Sequence, residues 1–240
     1  MSRVKKLNTE KYVGIAIFSA LAFVVALVCN VIPPIAGFLS LDLKDAVIAI
    51  ASFIYGPLSA VIISFISAFI ELITFSTTGW YGFIMNFASS AVFALTASLI
   101  YGKIRNINGA LISFFAAIIA ATAVMLLLNI FVTPIYLVQY MGMPDDVARS
   151  EVMEMLPNIL LPFNFAKALM NSAVAMLLYK PLSKALKKAK LAVLAKKNPD
   201  NAVGSATAID PNRFNKNTVI ILAAGIVTLA VAVVIMVVIS

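Results

Sequence analysis

The chain has 240 residues, of which 62% are apolar and only 12% charged, and its mean hydropathy is +1.04. A soluble domain carries roughly 25% charged residues, so the composition excludes a soluble globular protein and describes an all-α protein embedded in a bilayer. The net charge is +8, the single cysteine, Cys29, forbids an internal disulfide, and the lack of histidine removes the commonest metal ligand and general base.

Apolar runs fall at about 12–31, 46–55, 58–75, 83–101, 109–133, 159–179 and 218–239. The first is long enough to span, and no small-residue cleavage motif follows it, so it reads as a retained helix and not as a cleavable signal peptide. The second, Ala46–Tyr55, is the doubtful one: a spanning helix needs about 20 residues at about 1.5 Å each. Charge placement decides it. Arg3, Lys5, Lys6 and Lys11 precede the first run, Lys103 and Arg105 follow the fourth, and Lys184, Lys187, Lys188, Lys190, Lys196 and Lys197 follow the sixth. The intervening loops hold Asp42 and Asp45 around Lys44, then no basic residue from 76 to 82, then Asp145, Asp146, Glu151 and Glu154 with Arg149. Only if the short run spans do the lysine-rich stretches share one side, as the positive-inside rule requires. A second helix is therefore predicted to begin near Phe38 to Leu43, with Asp42 and Asp45 at its outer end and Gly56-Pro57 turning the chain on the cytoplasmic side.

This gives a six-transmembrane-helix bundle over 1–180 with both ends cytoplasmic. Residues 181–217 form a basic segment and a linker. Lys180 to Lys197 reads either as an amphipathic helix on the anionic leaflet or as a solvated tail. The stretch with Pro199, Asp200, Gly204, Asp210 and Pro211 reads as flexible. Residues 218–240 add a C-terminal transmembrane helix.

Candidate site residues are polar side chains at helical spacing in apolar surroundings. Asn164, Lys167 and Asn171 lie at i, i+3 and i+7 on the sixth helix, Thr122, Asn129 and Thr133 form a stripe on the fifth, and Asn86 and Ser90 on the fourth. Lone amides and hydroxyls serve equally well as glue between helices. Lys167 is different, because a cation at depth costs at least roughly 2.5–3.5 kcal/mol on insertion scales and demands a polar partner. Counted from Asn158, it sits roughly 13 Å deep by the helical rise, where snorkelling to the interface is least comfortable. Glu71 fits a cation partner or interfacial water. Trp80 and Tyr81, between Gly79 and Gly82, fit either ring stacking or an aromatic belt.

The segments Phe38-Leu39-Ser40-Leu41-Asp42-Leu43-Lys44-Asp45, Tyr55-Gly56-Pro57, Met85-Asn86-Phe87, Asn129 ahead of Thr133-Pro134, and Pro162-Phe163-Asn164-Phe165-Ala166-Lys167 together resemble a substrate-binding S component of an energy-coupling factor (ECF) vitamin transporter, in particular a riboflavin-binding one, over about residues 10–180. The resemblance implies an outward pocket lined by helices four to six and lidded by the first loop. In it Asn164 and Lys167 would bond the polar edge of an isoalloxazine and Asn129 would add a polar contact beside Asn86. Phe38, Leu39, Leu41 and Asp42 would close over the ring and its ribityl chain. The chain departs from the family pattern after Asp42, where Lys44 and Ala46-Val47 replace the customary serine and isoleucine-proline.

Riboflavin would be a transported ligand, with no resident cofactor, metal or nucleic-acid partner expected. Energy must come from other chains, since no GxxxxGK[ST] phosphate loop is present. Ala16 and Ala20 form a small-xxx-small face which, by the resemblance, meets a transmembrane T component carrying two ATPases. Ala22 and Ala26 offer the same spacing on another face. An S component for another vitamin such as thiamine, or a self-sufficient secondary transporter, remains an alternative. An enzyme would have only Asp42 and Asp45 as an acid pair.

Overall fold

The computed structural model describes residues 9–197 and, beyond them, Val231; the lysines and arginine ahead of Thr9, the linker from 198 and, apart from Val231, the expected C-terminal helix lie outside the described residues. Seven helices follow one another: α1 (Thr9–Cys29), α2 (Lys44–Tyr55), α3 (Pro57–Thr74), α4 (Gly79–Lys103), α5 (Ile107–Met141), α6 (Asp145–Met155) and α7 (Leu161–Lys197). A π-helical turn, Leu156–Leu160, joins α6 to α7. Among the described residues no strand occurs, and five stretches are long and apolar enough to cross a membrane: Lys11–Cys29, Pro57–Thr74, Gly79–Lys103, Asn108–Met141 and Asp145–Tyr179.

Helix α2 is the hub. It packs against α1, α3, α4 and α7, and every residue from Lys44 to Ser52 is buried. Small residues make this possible: Ala46, Ala49, Ala51, Ala60, Ala94 and Ala97 are buried at the contacts, letting backbones approach as membrane helices require. Ser98 donates to the Ser52 carbonyl (3.1 Å) and Ser52 reaches the Ala94 carbonyl (3.3 Å), tying α2 to α4. Tyr55 lies directly over Gly14 of α1, a contact that a side chain at position 14 would obstruct.

The expected start of this helix is corrected. Residues 38–43 are not helical; α2 has 12 residues, about 18 Å, too short to cross on its own. The preceding chain instead folds into a tight turn. Ile35 and Leu39 exchange backbone hydrogen bonds of 3.0 and 2.9 Å, with Ala36 (φ 51°) and Gly37 (φ 79°) in the left-handed region. At its other end Gly56 (φ 94°, ψ 170°) turns the chain into α3, with Pro57 opening the new helix, the position where its missing N–H is harmless.

Two further elements exceed the sequence reading. Helix α5 runs 35 residues to Met141, through Pro134, and ends on Gly142 in the left-handed conformation (φ 69°). The acidic outer segment, read as a loop, is the helix α6, whose Ala148 and Val152 are buried against Leu137, Leu160 and Phe163. The basic segment 180–197 continues α7 without a break. At the opposite end of the bundle Phe53 stacks on Tyr101 (4.2 Å) and meets Tyr179 edge-on (6.3 Å), and the Tyr101 and Tyr179 hydroxyls are hydrogen-bonded.

Candidate ligand site

At the other end of the bundle, the first loop, the start of α4, the later half of α5 and the start of α7 enclose a cavity with about 640 Å³ of non-atom space, its open mouth included. One wall is polar, with Asn164 and Lys167 from α7, Asn129 and Thr133 from α5 and Asn86 and Ser89 from α4; Phe38, Leu39, Met85, Met125, Tyr81, Tyr136 and Phe163 supply the apolar surface. Of the eight expected ligand contacts, Phe38, Leu39, Asn86, Asn129, Asn164 and Lys167 line this space. Leu41 and Asp42 do not: they line an adjoining cavity with Glu71, a correction to their placement over the same pocket.

Lys167 finds the partner its burial demands. Its Nζ lies 2.8 Å from Asp42 Oδ2. Sequence reading missed the second cation. Lys44 is fully buried, and its Nζ lies 2.7 Å from Glu71 Oε2 and 3.6 Å from Asp42 Oδ2. The four groups form a chain, Glu71, Lys44, Asp42 and Lys167, linking α3, α2, the first loop and α7, with two positive and two negative charges. Such pairing is what lets buried ions persist, since losing one partner leaves an uncompensated charge. The apolar flank from Ala46 hid Lys44, and the acidic residues on either side were its available signal. Glu71 is thus a buried ion-pair partner.

Asn171 is structural. The residue preceding α2, Leu43, has no side chain able to cap it, leaving helical N–H groups unsatisfied. Asn171 Oδ1 accepts from the Ala46 N–H (2.9 Å) while its Nδ2 donates to the Asp42 carbonyl (2.9 Å) and the Lys167 carbonyl (3.0 Å). Helix α7 therefore caps α2 from outside and fixes the backbone that presents Asp42. Asp45 accepts a hydrogen bond from Ser90 and lies in the first turn of α2, where the helix dipole favours an anion. With Asp42 ion-paired and Asp45 held this way, neither serves the acid-pair alternative.

The polar wall has a definite donor and acceptor pattern. Asn164 Nδ2 donates one N–H to the Leu160 carbonyl (2.7 Å), leaving its second N–H to donate and its amide oxygen to accept. Lys167 has three N–H donors, of which Asp42 takes one. Asn129 donates to Met125 O (2.7 Å) and accepts from Thr133 (2.8 Å), so one N–H donor and one oxygen lone pair remain. At the lid, the Phe38 ring lies 5.9 Å from Tyr136, and Tyr81, 6.2 Å from Tyr136, donates to Gln139 Oε1 (2.6 Å). Trp80 is exposed, so the two neighbouring aromatics divide: Tyr81 lines the site and Trp80 faces outward. A cavity of this kind suits a flat, largely apolar ligand with one hydrogen-bonding edge.

Residues 10–179 match the family model of the ECF transporter substrate-specific component. This chain belongs to that family. The S component is 30% identical over 194 residues to the riboflavin transporter RibU of Staphylococcus aureus (strain TCH60), covering 78% of this chain and all of the relative. It is 25% identical over 178 residues to the riboflavin transporter FmnP of Bacillus subtilis (strain 168), covering 72% and 92%. A solved structure of the S component of a bacterial ECF transporter superposes with a TM-score of 0.60 at 30% identity, over 75% of this chain and 98% of that one. S components bind substrate for transport and are not enzymes. On α1, Ala16 and Ala20 are exposed, whereas Ala22 and Ala26 are buried in the bundle, so the two small-residue faces are distinguished and the first remains open.

Proposed function

We propose that this S component captures riboflavin from outside the cell and delivers it through a T component energised by two ATPase subunits. The observation that carries the reading is the pairing of a free amide acceptor on Asn164 with spare donors on Lys167, one helical turn apart on a wall facing aromatic and methionine side chains. An isoalloxazine edge carries an imide N–H between two carbonyls. Asn164 Oδ1 accepts from that N–H and Lys167 donates to a neighbouring carbonyl, while Phe38, Tyr81 and Tyr136 cover the ring faces. The likeness to two riboflavin transporters supports the same ligand. Leu41 and Asp42 act from the adjoining cavity, Asp42 by holding Lys167.

In this reading α2 counts as one of the six membrane helices of the bundle, completing its length across the bilayer with the first loop, and the N-terminus is cytoplasmic, as the positive-inside distribution requires. Residues 1–180 are the binding unit, 181–217 the basic segment and linker, and 218–240 a further membrane helix. The exposed Ala16 and Ala20 face receives a helix of the T component. Titrating the purified chain with a panel of vitamins tests the ligand: riboflavin should bind saturably at one site and thiamine should not. Preference for thiamine, or for no flavin, overturns the assignment.

A further inference from the structure

Five ionisable side chains meet at the outer end of α2, and their charges do not balance. Asp42, Asp45 and Glu71 are buried, as are Lys44 and Lys167, so three carboxylates face two ammonium groups and one negative charge is in excess. The ammonium groups are already taken. Lys44 lies 2.7 Å from Glu71 and 3.6 Å from Asp42, and Lys167 lies 2.8 Å from Asp42. Asp45, only 2% exposed, forms an ion pair with neither lysine; its partner is the Ser90 hydroxyl of α4, and it lines neither of the two cavities. The charges that act on it are Asp42 of the first loop, Lys44 of its own helix and Lys167 of α7. Behind them, α3 places Glu71 against Lys44 and α1 places Cys29 against the Leu43 backbone.

A buried carboxylate without a counter-ion takes up a proton, because the ion is far more costly to bury than the neutral acid. The dipole of α2 offers only about half an elementary charge at this end of the helix, which does not cancel a whole one. The Ser90 hydroxyl serves the acid as well as the anion, since it accepts a hydrogen bond as readily as it donates one. We infer that Asp45 carries a proton in the folded chain and that this proton is a pH-sensitive switch on the neighbouring ligand site. With Asp45 neutral, the N–H groups of Lys167 that Asp42 does not use are left for the ligand. With Asp45 ionised, a further anion competes for them and draws the ammonium away from the cavity. Ligand affinity is therefore highest at low pH and falls as rising pH removes the proton.

Infrared spectroscopy of the purified full chain reads the proton directly, because a protonated carboxyl has a C=O stretch that a carboxylate lacks. The useful window runs from about pH 5 to about pH 9, above the ordinary carboxylate values of about 3.9–4.3 and below that of lysine at about 10.4. Wild type should show the band at the acid end and lose it as the pH rises, and Asp45→Asn should lack it throughout. Riboflavin titrations over the same window should show wild-type affinity falling about tenfold as the band disappears, the weight of a charge-assisted hydrogen bond. Asp45→Asn, neutral at every pH, should keep its acid-end affinity. No band in wild type at about pH 5, or an undiminished band in Asp45→Asn, overturns the proton on Asp45. A band that persists to the alkaline end, or an affinity that stays constant while the band titrates, overturns the switch, and both are read on wild type alone if the variant fails to fold. The switch rests on the flavin reading above, whereas the infrared band does not. Failure of wild type to bind riboflavin at any pH overturns that reading and the switch with it, and the band still decides the proton.

Discussion

At the residue scale the fold depends on a buried ion-pair relay. Lys44 touches both Glu71 and Asp42, and Asp42 in turn holds Lys167. Removing one member of a buried ion pair costs about 3–5 kcal/mol, so Lys44→Met should markedly lower the melting temperature in detergent. An unchanged melting temperature would mean that the relay is solvated. Lys167→Met would free Asp42 from its better partner and so lose stability as well as binding; the double change Asp42→Asn with Lys167→Met should recover stability and leave binding lost. This separation, read by thermal unfolding and titration on the same samples, distinguishes the structural from the ligand-facing role of the lysine. Lys167 was legible because an apolar run made a cation conspicuous. Lys44 was not, because alternating charges in Asp42-Leu43-Lys44-Asp45 look like an exposed loop, and only the helix packing around them makes them interior.

At the scale of elements, turns and caps set the pocket. Gly56 adopts φ 94° and ψ 170°, a region essentially reserved for glycine, and an added Cβ would meet nothing. Gly56→Ala therefore isolates backbone strain and should destabilise by about 1–3 kcal/mol, measured by thermal unfolding; a neutral result would show that the α2 to α3 turn relaxes freely. Helix boundaries were the least legible part of the fold. The turn at Ile35–Leu39 uses Ala36 at positive φ, a conformation for which alanine carries no preference, and the apolar residues from Phe38 to Leu43 read as the beginning of α2 although the helix starts at Lys44. Helix α6 was hidden by its acidic residues, although Ala148 and Val152, four residues apart, already marked a buried face. The long apolar helices were plain because their composition alone forbids water.

At the scale of the whole molecule, one end of the bundle opens on a cavity and the other carries the ring cluster of Phe53, Tyr101 and Tyr179. Ala16→Leu, on the exposed face of α1, should abolish riboflavin uptake in cells while leaving binding by the purified chain unchanged. Ala22→Leu, at a fully buried position, should instead impair folding, since overpacking costs about 1–3 kcal/mol. Equal loss of uptake and binding in Ala16→Leu would place that face inside the fold and not at an interface.

The account stands most directly on quenching of riboflavin fluorescence by the purified chain, measured side by side for wild type and Lys167→Met. It predicts saturable one-to-one quenching by wild type and a loss of about 1.5–3 kcal/mol in the variant, the value of a charged hydrogen bond. Identical titration curves, or no quenching by wild type, would contradict it.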